Sequence, residues 1–154
     1  MRILIAIMII FLCFPAKAEK PTEAWVMCQP KSEVIVRARP NKHAEEIGRV
    51  FPGDHIELDG KKVGRWYHCY VMFEASDGWI RGDHLSFTEP DIYEDGKKFV
   101  TTRKNLVTRY SIKGNVFRKF RKAGVEVIVY MIADEWSVTS QGYIMTKFLE
   151  EVNE

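Results

Sequence analysis

What most constrains this chain is how often it is made to turn. Glu33-Val34-Ile35-Val36-Arg37 is a β-branched run bounded by Pro30 and Pro40. Ile47–Phe51 runs into Pro52-Gly53, and His55-Ile56-Glu57-Leu58 alternates before Asp59-Gly60, a pair suited to a tight hairpin. Trp66–Phe73 is rich in aromatic and β-branched residues, and Asp77-Gly78 turns the chain into Trp79-Ile80. No long window keeps apolar residues at i, i+3, i+4 and i+7, so a substantial helix is not expected. Phe148–Val152 would make one helical turn at most.

The punctuation repeats. With an offset of 70, Val36-Arg37-Ala38-Arg39 falls on Leu106-Val107-Thr108-Arg109, Ile47 on Phe117, Val50 on Phe120 and Trp66 on Trp136. With one residue added, Pro52-Gly53 meets Ala123-Gly124. Gly78-Trp79-Ile80 meets Gly142-Tyr143-Ile144 after a loop six residues longer in the first copy, and Leu85 meets Leu149. Landmarks in one order, twice, imply two small β domains. Units of about 55 residues are marginal as isolated cores. Glu89–Lys97, charged and holding Pro90 and Gly96, reads as the linker.

The first copy resembles the bacterial Src-homology-3-like (SH3b) domain across Glu33–Phe87. The carrying residues are Val36-Arg37-Ala38-Arg39-Pro40, Ile47-Gly48-Arg49-Val50, Pro52-Gly53-Asp54, Trp66-Tyr67, Gly78-Trp79-Ile80 and His84-Leu85. It departs at Ile35, where the family often has Asn, and at Arg39, where it often has Gly. The second copy keeps only Gly124, Trp136 and Gly142-Tyr143-Ile144 clearly. The resemblance implies an all-β protein with SH3-like barrels over 33–88 and 98–154; a signal peptide over 1–18, an extension over 19–32 and a linker over 89–97 are read beside them.

The leader is read from Arg2, the unbroken apolar run Ile3–Phe14, Pro15 and the small-x-small site Ala16-Lys17-Ala18. The run is too short for a comfortable membrane span, so no stable span is expected after cleavage. Cys13 leaves with the leader, and export would place Cys28 and Cys69 in an oxidising space. A bridge between them would close a loop of about 40 residues, worth roughly 3–4 kcal/mol in the chain-entropy account. Two buried free thiols are the alternative.

Without the leader the basic and acidic residues balance, which argues against binding nucleic acid through a global positive field. The balance is a cancellation. Glu19–Asp95 holds 10 basic and 15 acidic residues, and Gly96–Glu154 holds 11 basic and 6 acidic. Lys113, Arg118, Lys119, Arg121 and Lys122 lie within ten positions and have Phe117 and Phe120 between them. Such a patch suits a polyanion, or it faces the acidic first copy and orients the pair. The two Phe are expected in the core.

Aromatic side chains supply contact area at low entropic cost. Trp66 and Trp136 begin strands beside loops and are candidate groove residues, with Tyr67 and Tyr110 as weaker ones. Trp79 and Tyr143 are expected in barrel cores. His43, His55, His68 and His84 lack close ligand spacing, and His68 and Cys69 would point to opposite strand faces. No nucleophile motif is present, and two barrels leave no separate catalytic domain. By resemblance, the expected function is an exported, non-catalytic binding module without a cofactor. Its ligand would be cell-envelope material such as peptidoglycan or an anionic wall polymer. The alternative is an adapter that holds an envelope protein.

Overall fold

A computed structural model of the chain describes residues 19–71 and 76–152. The expected leader, 1–18, lies outside the described residues. Fourteen strands carry the fold, and no α-helix occurs among the described residues.

The first lobe comprises β1 (Glu23–Val26), β2 (Val34–Arg37), β3 (Glu46–Val50), β4 (His55–Val63), β5 (Trp66–Val71), β6 (Ser76–Arg81) and β7 (Leu85–Ser86). The second comprises β8 (Asp91–Thr101), β9 (Leu106–Arg109), β10 (Val116–Phe120), β11 (Glu126–Ala133), β12 (Trp136–Thr139), β13 (Gly142–Met145) and β14 (Leu149–Glu151). The sheets run β3-β2-β6-β5-β4-β1-β7 and β10-β9-β13-β12-β11-β8-β14, every number in the second being seven higher. A 3-10 turn precedes the last strand of each, at Gly82–His84 and Thr146–Phe148. The two small β domains in tandem are thus copies in topology.

Register refines the repeat. Arg37 pairs with Trp79, and Arg109 pairs with Tyr143. Arg37 Nη1 donates to the Ala44 carbonyl at 2.9 Å, and Arg109 Nη1 to the Gly114 carbonyl at 2.7 Å. The equivalent of Arg37 is therefore Arg109, an offset of 72, and the expected alignment of the first strand is out of step by two. The hairpin loop that follows is two residues shorter in the second copy, which restores 70 by the next strand: Val34 pairs with Val50, and Leu106 with Phe120. Gly142 is needed where it stands. Its φ is 94°, and a Cβ there would meet the Arg109 carbonyl oxygen at 2.6 Å.

The extension is not an extension. Its β1 lies inside the sheet between β4 and β7. Ala24, Val26 and Cys28 alternate into the first core, with Val34, Val36, Ile56, Leu58, Cys69, Ile80 and Leu85. Met27 points the other way and joins Met131, Ala133, Val138 and Tyr143 of the second lobe. β1 and the residues just after it thus serve the first core and the junction.

The linker is also corrected. Lys97–Val100 pair with Val129–Glu126 of β11, and Asp91 and Ile92 with Ile132 and Met131. Residues 93–96 bulge between the two stretches. The charged side chains that suggested a loop belong to a strand whose pairing is made by its backbone. Moving Asp91, Glu94 and Asp95 to the second lobe changes the charge division. Residues 19–90 hold 10 basic against 12 acidic, and 91–154 hold 11 basic against 9.

Cys28 and Cys69 are free and buried, which corrects the expected bridge. Both sit in the first apolar core, where a thiol packs as a small hydrophobe. Burial pushes each thiol up to about 12.

Candidate functional site

The lobes meet along a packed seam. Tyr143, 2% exposed, donates its hydroxyl to the Met27 carbonyl at 2.7 Å. Asp134 accepts from Ser86 Oγ and Thr88 Oγ1, each at 2.8 Å, and from the Phe87 amide at 3.3 Å. Gln29 Nε2 donates to the Thr139 carbonyl at 2.8 Å, and the Ile112 amide to the Asp83 carbonyl at 3.0 Å.

Beside this seam the surface opens into a cleft of about 370 Å³. One wall is Tyr67, Leu85 and Phe87 of the first lobe. The other is Ile112, Lys113, Ala133 and Trp136 of the second. Tyr67 is placed by β5, with its ring 5.3 Å from Phe87 and Lys62 Nζ 4.7 Å above it. A Cβ on Gly82 would sit 2.6 Å from the Tyr67 ring, so that close approach requires glycine. Trp136 starts β12, packs on the junction core, and turns its remaining surface to the cleft.

The cleft's charged groups divide by engagement. Asp83 is buried and ion-paired to Arg81, with Arg65 Nη1 at 3.7 Å. Asp134 holds the seam as described. Lys62, Arg65 and Lys113 lie at the rim with Glu135, so the mouth carries more positive than free negative charge. Lys113 is fixed in left-handed backbone, φ 57°, at the hairpin between β9 and β10.

Two further depressions adjoin the cleft. One, of about 390 Å³, shares Arg65, Asp83 and Lys113 with it and reaches Tyr110. The other, of about 600 Å³, shares Gly64 and Arg65 and reaches Trp66. Trp66, Tyr67, Trp136 and Tyr110 therefore all line hollows grouped around Arg65. The seam itself brings Tyr67 and Trp136 to one cleft.

The basic patch is split. Lys113 stands at the cleft, while Arg118 and Lys119 lie on β10 and Arg121 and Lys122 in the turn after it, all exposed. The hydrogen bonds above and apolar packing join the lobes. Phe120 is in the second core as expected, but Phe117 is 42% exposed and meets Tyr110 edge to face at 4.9 Å. Trp79 is half-buried against His68 at 4.9 Å rather than in the core. His68 itself is held by Asp59 at 2.9 Å on Nδ1 and Asp77 at 3.3 Å on Nε2. The Lys61 ammonium, and then His68, hold the Asp59 carboxyl down to about 2.

Lys62, Arg65, Phe87 and Ile112 were not singled out in the sequence. Phe87 had one signal, a large apolar residue two positions after the closing Leu85 of the first copy.

No family profile matches the chain, and no curated protein does. Among solved structures, NlpC1 from Trichomonas vaginalis is similar at 15% identity over 85% of this chain and 46% of its own, with a TM-score of 0.34. NlpC2 from the same organism is similar at 13% identity over 85% of this chain and 48% of its own, again with a TM-score of 0.34. The chain spans about half the length of each. At that TM-score the likeness carries no inference about fold or activity.

Proposed function

We propose that the chain is an exported, non-catalytic binding module whose ligand lies in the cleft between the lobes. The observation that carries this is the convergence of Tyr67 and Trp136, one from each lobe, on one cleft rimmed by Lys62, Arg65 and Lys113. The two residues are not equivalent in the repeat. Trp136 matches Trp66, and Tyr67 matches Ser137. Neither lobe alone would provide the pair, so the tandem arrangement has a use beyond stability.

The proposed ligand is cell-envelope material, a peptidoglycan strand or an anionic wall polymer. Flat aromatic walls suit sugar rings or an extended peptide, and rim cations suit carboxylate or phosphate. The SH3b resemblance of Glu33–Phe87 and the signal-peptide pattern support that choice. A binding rather than catalytic role is supported by the two cysteine thiols, which are buried and held protonated, the opposite of an activated nucleophile.

The test is retention on purified sacculi, with the parent compared to Trp136→Ala and Tyr67→Ala. Retention by the parent and at least a tenfold loss in each variant are expected, in line with aromatic anchors worth 2 kcal/mol or so. Sacculi that bind neither parent nor variants, while one protein co-purifies with the parent, would move the function to an adapter.

A further inference from the structure

We propose that the β9–β10 edge of the second lobe docks the chain on an anionic lipid bilayer. This site shares no lining residue with the cleft, although its Tyr110 also lines the adjoining depression. Its evidence is a comparison the molecule provides internally, since the first lobe carries the same hairpin on the same topology.

In the first lobe, β3 itself is a quiet edge, with exposed Phe51 only past its end. Arg49 is ion-paired to both Glu33 and Glu46. Ile47 packs on the core, and Ala38 stands at the start of the loop. The Ala38 amide donates to the Glu45 carbonyl, as the Tyr110 amide does to the Asn115 carbonyl, which fixes the correspondence.

Position by position, the second lobe replaces this with apolar and cationic groups. Ala38 becomes Tyr110, Glu46 becomes Val116, Ile47 becomes Phe117 and Gly48 becomes Arg118. Arg49 becomes Lys119, while Glu33, the other acid that neutralised it, becomes Asn105. Tyr110 is 63% exposed, Val116 51% and Phe117 42%. The Tyr110 and Phe117 rings meet edge to face, and the Arg118 guanidinium lies 5.7 Å over Phe117. Arg121 and Lys122 continue the cationic line past the end of β10.

Cations alone are what an edge strand carries to block edge-to-edge pairing. Three exposed apolar side chains beside them work against that purpose. A soluble polyanion would need the charges and not the apolar surface. An anionic bilayer needs both: cations for the headgroup layer, and amphipathic aromatics for its boundary with the acyl chains. The lobes' charges agree with this orientation. The second lobe, with 11 basic and 9 acidic residues, would face the surface, and the first, with 10 and 12, would face away.

The test is co-sedimentation of the chain without its leader, at low and high salt. The vesicles are phosphatidylcholine alone or phosphatidylcholine with phosphatidylglycerol. Binding only to the phosphatidylglycerol vesicles, weakened by salt, is expected. Reversing Arg118, Lys119 and Arg121 to Glu should lower it by about 10²-fold or more, taking the usual gain per surface cation. Tyr110→Ser with Phe117→Ser changes only exposed side chains and should lower it by roughly tenfold. Trp136→Ala should leave it unchanged. Absence of binding to phosphatidylglycerol vesicles at low salt would overturn the proposal, as would equal binding to both kinds. An aromatic double variant that binds like the parent would also overturn it, and would make the edge a site for soluble polyanions.

Discussion

The Tyr143 hydroxyl of the second lobe donates to the Met27 carbonyl of the first at 2.7 Å, across 116 residues of sequence. Both residues are fully buried in the apolar cluster that joins the lobes. Tyr143→Phe keeps the ring and leaves the carbonyl without its donor. A loss of about 1–2 kcal/mol is expected, the usual cost of a buried orphaned acceptor. Urea unfolding measures it. If the lobes are coupled, one cooperative transition shifts as a whole, and a change confined to one of two transitions would show that they unfold separately.

His84 lies at the same seam, with its ring 3.4 Å from the Tyr143 hydroxyl. Burial pulls its imidazole below 6.5, opposed by Asp83 and aided by Arg81. The folded state therefore takes up this proton less readily than the unfolded chain. Stability from this group is complete above pH 6.5, the unfolded value, and is lost as pH falls below it. Thermal unfolding from pH 7.5 to 5 should show a steeper fall for the parent than for His84→Gln. Parallel curves would remove His84 from the pH response.

Asp134 ties Ser86, Phe87 and Thr88 to the second lobe through both carboxylate oxygens. Asp134→Ala should cost about 1–3 kcal/mol by deleting these contacts at a partly exposed site. It should also expose the stretch from Phe87 to Pro90 to protease. Limited proteolysis followed by mass spectrometry reads the cut, and an unchanged digestion pattern would mean that apolar packing alone holds the seam.

Cys28 and Cys69 are separate thiols, each raised by burial to about 12. A thiol reagent at pH 8 should label neither quickly in the native protein, and both once it is denatured without reductant. Peptide mapping assigns the labels. Protection of both residues under denaturing conditions would reveal a bridge.

Much of the architecture was legible in the sequence. Pro52-Gly53 marked the turn between β3 and β4, whereas Asp59-Gly60 and Asp77-Gly78, read as turns, lie inside β4 and β6. The order Gly124, Trp136, Gly142-Tyr143-Ile144 marked a second copy of a unit the first copy defined more clearly. The slip of two residues at Arg109 was not legible, because the shortened hairpin sits between two strands of similar composition. Nor was β8. Its exposed, charged positions look like linker residues, and only its register on β11 makes them a strand. The −5 and +5 charge division drawn at Asp95 shrank to −2 and +2 for the same reason.

The candidate site divides along the same line. Side-chain type alone selected Trp66, Tyr67, Trp136 and Tyr110, since large amphipathic rings beside turns are suited to contact. Their grouping around Arg65 depends on how two lobes pack. That packing rests on Met27, just past β1 in a segment read as outside both domains, where Val26 and Cys28 turn to the first core and Met27 to the junction. Local sequence determined most of the strands and the repeat, because those depend on neighbours in the chain. The tertiary structure alone decided where the two copies touch, because contacts between Met27 and Tyr143, or Tyr67 and Trp136, have no local signature.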